Sequence, residues 1–214
     1  SEVIGEMDRL LQKGNTVMLV AYKNAVIGML GVMDLPRKHA ADTLIRLKQL
    51  GIKKMIMLTG DHQDVGDSIG KQIGLTEVKG NLLPEDKVRA IQDLKKRDAK
   101  VAMVGDGVND APAMANSTVG VAMGAAGSDV ALEAADVALM SDKIESLPFV
   151  IGLSRESKRI IRQNLWMSMG VVALLIPATL FGFANIGIAV AIHEGSTLVV
   201  VLNALRLLRY DLKD

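Results

Sequence analysis

Two long apolar runs near the end of the chain constrain its fold more than any other feature. The first, LWMSMGVVALLIPATLFGFA, covers residues 165–184 without a charge, and the second, IGIAVAIHEGSTLVVVLNALRLL, covers residues 186–208. A helix of about 20 apolar residues is long enough to cross the hydrocarbon core of a bilayer. We therefore expect a membrane-spanning helical hairpin that turns near Asn185.

Basic residues flank the outer ends of both runs. They are Arg155, Lys158, Arg159 and Arg162 before the first run, and Arg206, Arg209 and Lys213 at the end of the second. The positive-inside rule then places both ends in the cytoplasm and the turn outside. The sequence predicts a multi-pass protein of the cell membrane, surrounded by lipid, with its soluble part in the cytoplasm. The alternative is a buried helical hairpin in a large soluble core.

The preceding residues have the pattern of a soluble α/β protein. Short apolar runs predict strands at 16–22, 25–32, 54–59, 100–105, 119–123 and 136–140, and amphipathic stretches predict helices at 37–50, 63–73, 85–97 and 110–116. Gly51, Gly74 and Gly80 lie where helix stops are expected. Nearly all-apolar strands that alternate with helices predict a doubly wound parallel sheet.

Charge and cysteine content exclude some kinds of site. The formal net charge is only +1, so no global field attracts nucleic acid, and we expect no nucleic-acid partner. The chain has no cysteine, which excludes disulfides and any cysteine-built metal or redox site within it.

Polar residues follow two of the predicted strands. KMIMLTGD ends in Thr59, Gly60 and Asp61, and KVAMVGDGVNDAP ends in residues 105–110. Ligands of an open parallel sheet bind at the carboxyl ends of its strands, so both motifs should meet at one edge. Taken separately, a TGD tripeptide is usually a turn and a lysine near a helix start is usually solvated. The order of all these motifs along one α/β chain favours a phosphate site.

Each side chain there has a candidate role. The hydroxyl and the backbone N–H of Thr59 can bind a phosphoryl oxygen, and Asp106 is a hard oxygen ligand suited to Mg²⁺. Asp110 could support that metal or orient a lysine, and the charge of Lys87 can neutralise a transferring phosphoryl group. The rest of the loop that we predict to bind the cofactor is Gly105, Gly107 and Asn109.

These motifs carry a family resemblance. TGD, PEDK and VGDGVNDAPAMANSTVGVAMG resemble the phosphorylation domain of P-type cation-transporting ATPases, in the haloacid dehalogenase superfamily. The resemblance implies use of ATP and Mg²⁺, with Thr59 contacting the phosphoryl group and Lys87 screening its charge. It makes Asp106 a Mg²⁺ ligand with Asp110 close by. It places Asp61 at the same edge, where an actuator domain docks, and it makes Gly60 and Asp61 candidate catalytic residues together with Thr59 and Lys87.

One element of the family pattern is missing. The nucleophile should be an aspartate in an Asp-Lys-Thr-Gly stretch, but Asp-Lys occurs only at residues 86–87 and 142–143, followed by Val and Ile. Phosphoryl transfer through an aspartyl-phosphate needs that carboxylate, so we expect this chain alone not to form the intermediate. We expect it to be the C-terminal part of a longer protein, whose preceding portion supplies the actuator domain, most of the nucleotide-binding domain and earlier membrane helices.

The resemblance also suggests domain boundaries. Residues 1–31 read as the tail of a nucleotide-binding domain, 32–147 as the phosphorylation domain without its first strand, and 148–214 as the transmembrane hairpin.

A histidine and a glutamate interrupt the second apolar run. Ionisable residues inside a membrane span cost several kcal/mol and usually have a function. His193 and Thr197 share a helix face, with Glu194 beside it, and such nitrogen and oxygen ligands suit a divalent transition metal. The alternative is a structural pair. HEGST resembles the heavy-metal subgroup associated with cobalt and variously zinc, cadmium or iron, which makes these three residues ligands of the transported ion, with partners outside this chain.

Three functions remain open at this point. The leading hypothesis is an ATP-driven heavy-metal exporter that works through an aspartyl-phosphate and moves Co²⁺ or Zn²⁺/Cd²⁺. The second is a membrane-tethered phosphatase of the same superfamily. The third is a non-catalytic regulatory module that binds Mg²⁺ or phosphate.

Overall fold

The chain forms two compact units, Ser1–Ser146 and Leu147–Asp214. A computed structural model describes residues 2–12, 15–33, 35–98, 100–105, 108–124 and 129–211. The division of the first unit at residue 31 stays a prediction.

The first unit begins with a helix and a β-hairpin. Helix α1 (Glu2–Gln12) precedes strands β1 (Asn15–Tyr22) and β2 (Ala25–Met33), which pair antiparallel. The connecting residues Lys23 and Asn24 have φ of 46° and 63°, the left-handed values that a two-residue hairpin turn requires. Both strands were predicted from their apolar residues, whereas α1 was not.

Short parallel strands follow. β3 (Ile56–Leu58) pairs with β4 (Glu77–Lys79), and β6 (Val119–Met123) pairs with β5 (Ala102–Gly105) on one side and β7 (Val137–Leu139) on the other. Parallel neighbours need crossover connections, which here contain helices. The predicted α/β fold class with parallel strands is confirmed, and β4 is an addition to it. Among the described strands, β3 and β5 each have a partner on one side only.

Among the described residues, five helices accompany these strands. They are α2 (Ala40–Gln49), α3 (Gln63–Ile73), α4 (Pro84–Asp98), α5 (Ala111–Asn116) and α6 (Asp129–Ala134). Gly74 ends α3 in the left-handed conformation with φ 82°, as predicted. The prediction that Gly80 ends a helix is wrong, because Gly80 follows β4. A Cβ at Gly80 would lie 2.6 Å from the Cα of Gln63, so close packing explains the glycine there.

A hydrophobic core lies between α4, α5 and the parallel strands. Its buried members are Ile91, Met103, Ala111, Ala113, Met114 and Ala122. Leu58 and Val88 pack against this cluster. The core therefore joins elements from both groups of parallel strands.

The second unit contains two long helices. Helix α7 (Ser146–Leu180) includes Pro177, and α8 (Ile186–Leu205) continues as a 3₁₀ turn, Arg206–Arg209. Both are long and apolar enough to cross a membrane. Gly182 has φ 78° in the connection between them. The Asn185 side chain caps α8 by accepting a hydrogen bond from the Ile188 N–H at 2.9 Å, where the turn was expected.

Candidate functional site

The Thr59-Gly60-Asp61 motif forms a tight turn at the carboxyl end of β3. The Thr59 hydroxyl donates a hydrogen bond to Oδ2 of Asp61 at 2.7 Å and accepts one from the Asp61 N–H at 3.1 Å. Asp61 and Gly60 are exposed, and Thr59 is half-buried. A phosphoryl oxygen bound by this hydroxyl would have to replace the Asp61 carboxylate as its acceptor.

Backbone hydrogen bonds hold this turn against the loop after β4. The Thr59 N–H donates to the Lys79 carbonyl at 3.0 Å, and the Leu82 N–H donates to the Thr59 carbonyl at 3.1 Å. The Asn81 N–H donates to the Asp61 carbonyl at 2.7 Å. These hydrogen bonds fix the backbone of the motif, so that only its side chains can change conformation.

Gln63, which the sequence did not single out, clamps the same loop. Its Oε1 accepts from the Gly80 N–H at 2.6 Å, and its Nε2 donates to the Val78 carbonyl at 3.0 Å and to the Asp67 carboxylate at 3.0 Å. A glutamine at a helix start has no distinctive sequence signal. The only available sign was Gly80, whose missing side chain leaves room for Gln63.

Lys87 and Asp110 form a partly buried ion pair. The Lys87 ammonium donates to Oδ1 of Asp110 at 2.8 Å, and each side chain is only 16% exposed. The PEDK stretch places the lysine early in α4: Pro84 is the first helical residue, and the Asp86 carboxylate accepts from the Leu83 N–H at 3.2 Å. Of the two roles considered for Asp110, orienting a lysine matches this geometry.

Gly105 makes room for Asp110. A Cβ at Gly105 would lie 2.6 Å from Cβ of Asp110. Asn109, in the 3₁₀ turn Val108–Asp110, is exposed. The predicted Mg²⁺ ligand Asp106 and the predicted cofactor-binding Gly107 lie outside the described residues.

The candidate site residues Thr59, Lys87 and Asp110 are far apart in sequence, but their neighbours in the sequence pack in or against the same hydrophobic core. Leu58 and Val88, which pack on the core cluster, are the sequence neighbours of Thr59 and Lys87. The buried cluster member Ala111 follows Asp110 directly. Burying these apolar neighbours brings the polar residues to the ends of elements that share one core. The roles assigned to these polar residues stay predictions.

The predicted ion ligands lie on α8. The hydroxyls of Ser196 and Thr197 donate to the His193 carbonyl at 2.7 and 3.2 Å, so neither is committed to another helix. His193 and Glu194 are exposed, and their side chains form no hydrogen bond or ion pair with the described part of the chain. No cluster of three or more His, Asp or Glu suited to a metal occurs among the described residues. Three ligands on one helix leave a metal site incomplete.

Comparison with known families identifies the fold of the first unit. Residues 2–118 match the model of the haloacid dehalogenase-like hydrolase family. The chain belongs to this family, as its parallel α/β fold and the order of its TGD, PEDK and GDGVND motifs indicate.

The wider similarity extends over nearly the whole chain. It is 45% identical over 204 residues to a probable cadmium-transporting ATPase of Listeria monocytogenes, covering 95% of this chain and 29% of that protein. It is 43% identical over 200 residues to a zinc-transporting ATPase of Bacillus subtilis (strain 168), covering 94% of this chain and 31% of that protein.

A solved structure agrees with these relatives. A crystal structure of a zinc-transporting PIB-type ATPase superposes with a TM-score of 0.83 at 41% identity, covering 96% of this chain and 33% of that one. The resemblance to heavy-metal-transporting P-type ATPases is confirmed. The chain spans about three-tenths of the length of the curated relatives it matches.

Proposed function

We propose that this chain forms the phosphorylation-domain and final membrane-hairpin portion of an ATP-driven exporter of divalent heavy-metal cations. One observation carries the proposal. The similarity to cadmium- and zinc-transporting ATPases covers 95% of the chain, and so includes the phosphate motifs and the two apolar helices together. A tethered phosphatase needs no polar residues within its anchoring helices, and the sequence HEGST in α8 favours transport over that alternative.

In the proposed reaction, an aspartate carboxylate from another part of the protein attacks the γ-phosphoryl group of ATP. The bond from that phosphorus to the bridging oxygen breaks, and ADP leaves. Lys87, held by Asp110, would stabilise the negative charge on the transferring group, and Thr59 would donate a hydrogen bond to one of its oxygens. Carboxylates such as those of Asp106 and Asp110 are the ligands that Mg²⁺ prefers, and the bound ion would supply further positive charge.

The open edges of the parallel strands support this division of roles. β3 and β5 each end in a phosphate motif, and in the described structure each has one unpaired edge. An edge strand presents free N–H and C=O groups that can pair with a further strand. A strand that carries the nucleophile could pair there, which would set its carboxylate beside Thr59 and the loop after β5.

The transported ion would bind through His193, Glu194 and Thr197 of α8. Imidazole nitrogen with carboxylate and hydroxyl oxygen favours a borderline divalent ion over Cu(I). Cadmium and zinc are the ions named for the two relatives described above, so we propose Zn²⁺ and Cd²⁺ as substrates and include Co²⁺ in the test. With both helices crossing the membrane, the first unit would lie in the cytoplasm.

ATP hydrolysis by the protein from the complete reading frame that contains this sequence tests the proposal. The purified protein is reconstituted in vesicles, and hydrolysis is measured in Mg²⁺ alone and with added Zn²⁺, Cd²⁺, Co²⁺ or Mn²⁺. Stimulation by Zn²⁺ or Cd²⁺, with ion accumulation in the vesicles, is the expected result. A rate of hydrolysis that no added metal changes would indicate a phosphatase. No hydrolysis in any condition would indicate a non-catalytic module.

A further inference from the structure

An open, solvent-accessible cavity of about 470 Å³ lies at the basic end of the helical hairpin. Its lining residues all belong to the second unit: Glu156, Arg159, Arg206, Arg209, Tyr210 and Asp211. The first two come from α7, and the others follow α8. The cavity is therefore formed where the two apolar helices have their charged ends.

Two of its arginines are held on the same side of a short helix. Arg206 and Arg209 begin and end a single 3₁₀ turn, in which side chains three residues apart eclipse each other. Arg206 donates to Oδ1 of Asn203 at 2.8 Å, whereas the Arg209 guanidinium has no hydrogen bond or ion pair to any residue that the structure describes. The two guanidinium charges repel each other, and an anion that lies between or beside them offsets this repulsion.

The charges of the cavity favour a monoanion. Glu156 accepts a hydrogen bond from Arg159 at 3.0 Å, so these two charges form an ion pair. Asp211 supplies the second carboxylate. Three guanidinium groups against two carboxylates leave one positive charge in excess. A phosphodiester carries one negative charge, and the guanidinium fork matches its two free oxygens.

The position of the cavity along the hairpin indicates where that phosphodiester would come from. Next to it, the Asn203 amide donates to Oδ1 of Asn164 at 2.8 Å and to Oε1 of Gln163 at 3.3 Å, which ties the two helices together. Immediately beyond this contact the uncharged run 165–184 begins, and its first residues, Leu165 and Trp166, are 57% and 69% exposed. Tryptophan is enriched at the membrane–water interface, so the cavity would lie at the depth of lipid headgroups.

We propose that this cavity binds the phosphate group of an anionic membrane lipid, with Arg206 and Arg209 as its main ligands. The inference rests on the membrane placement of α7 and α8 in the proposed function. Basic cavities between the cytoplasmic ends of membrane helices suit such headgroups. A free phosphate ion has the same chemistry, and the experiment separates the two sources.

The test uses the purified full-length protein in nanodiscs of phosphatidylcholine that contain a minor fraction of phosphatidylglycerol. Native mass spectrometry after release from the disc counts the phosphatidylglycerol molecules retained. The unmutated protein is compared with R209Q and with the double variant R206Q/R209Q. R162Q is the matched control, because Arg162 is exposed on α7 and does not line the cavity. A parallel sample receives excess inorganic phosphate before release.

We expect the unmutated protein to retain phosphatidylglycerol in preference to phosphatidylcholine. This preference should fall about tenfold in R209Q, because that variant loses a charge-assisted hydrogen bond to the lipid phosphate, and it should be unchanged in R162Q. Equal retention of both lipids by the unmutated protein, or equal loss in R162Q, would overturn the proposal. So would displacement of all retained lipid by inorganic phosphate, which would indicate a site for the free ion. Insertion into discs of phosphatidylcholine alone tests the membrane placement separately. A failure of the proposed function can therefore be distinguished from a failure of the lipid-binding proposal.

Discussion

The Lys87 ammonium lies 2.8 Å from Oδ1 of Asp110, and both side chains are 16% exposed. The pair joins the start of α4 to the start of α5, across 23 residues of sequence. Removing one partner leaves the other as a partly buried, uncompensated charge. Loss of one partner should therefore destabilise the fold, and the contact holds the lysine in one position.

The first prediction concerns the energetic coupling of this pair. K87M and D110N should each lower the free energy of unfolding by about 1.5–3 kcal/mol. The double variant should cost less than the sum, because each single change already removes the interaction. Urea unfolding of the purified protein, followed by circular dichroism, measures all three.

The matched control for the comparison of K87M, D110N and their double variant is an ion pair on the same helix, α4. Lys96 and Asp93 are 3.2 Å apart, but their side chains are 75% and 57% exposed. Solvated pairs of this kind contribute about 0.2–1 kcal/mol, so K96M and D93N should show little coupling. Additive effects of K87M and D110N would mean that the buried pair is not coupled.

The second prediction separates a chemical role of Thr59 from a structural one. Thr59 and Thr76 each make two local hydrogen bonds through the hydroxyl: Thr59 with Asp61, and Thr76 with the backbone N–H and carbonyl of Met55. They lie at opposite ends of the β3–β4 pair. T59A and T76A should each cost about 1 kcal/mol of stability, the usual value for such a bond.

Only T59A should also impair catalysis. Loss of a hydrogen-bond donor to the phosphoryl group should lower kcat by about 100-fold or more. Metal-stimulated ATP hydrolysis by the full-length protein, measured where both variants are folded, distinguishes them. Equal rates for T59A and T76A would exclude a direct role for the Thr59 hydroxyl.

The third prediction concerns the close contact at Gly80. A Cβ there would lie 2.6 Å from Cα and 2.8 Å from N of Gln63, and backbone atoms cannot rotate away. G80A should therefore destabilise the protein by about 1–3 kcal/mol or more. Because Gln63 also clamps the loop beside Thr59, catalytic activity should fall as well.

The control for G80A is a glycine with open space around it. Gly5, within α1, has nothing within 4 Å of an added Cβ. G5A should be neutral or stabilise by about 0.5–1 kcal/mol, because alanine is the better helix former. Thermal unfolding of both variants checks the pair, and a G80A protein as stable as G5A would contradict the packing argument.

Strong local patterns made part of the fold predictable. The predicted ranges 63–73 and 119–123 are those of α3 and β6, because one is amphipathic and ends at Gly74 and the other is almost wholly apolar. β4 was missed because it has only three residues, Glu77–Lys79, two of them charged. Its strand conformation comes from pairing with β3, which is a tertiary contact that no local pattern contains.

The positions of some candidate site residues were also predictable. Thr59 lies at the end of a strand and Lys87 near the start of a helix, as the sequence indicated, and an oriented lysine was one of two roles considered for Asp110. The 2.8 Å contact to Lys87 favours that role, and the sequence alone could not supply it. Gln63 was missed, because its contact to the loop is with Gly80, which is 17 residues away and was taken for a helix stop.

The last prediction concerns the ion ligands on α8. The His193 and Glu194 side chains are exposed and make no hydrogen bond with the described residues, so H193A and E194Q should leave thermal unfolding almost unchanged. If they bind the transported ion, however, both variants should lose Zn²⁺ and Cd²⁺ stimulation of ATP hydrolysis. Removing one ligand from a site of few ligands should weaken metal binding by about 10-fold or more.

Thr197 and Ser196 provide the matched comparison. Both hydroxyls donate to the same His193 carbonyl, at 3.2 and 2.7 Å, so T197A and S196A remove equivalent hydrogen bonds from one turn of α8. Both lie near the helix face of His193, but Thr197 is turned about 40° from it towards Glu194, whereas Ser196 is turned about 60° the other way, away from Glu194. T197A should therefore raise the metal concentration needed for half-maximal stimulation, whereas S196A should not. If S196A and T197A shift that concentration equally, the ion does not bind on the predicted face.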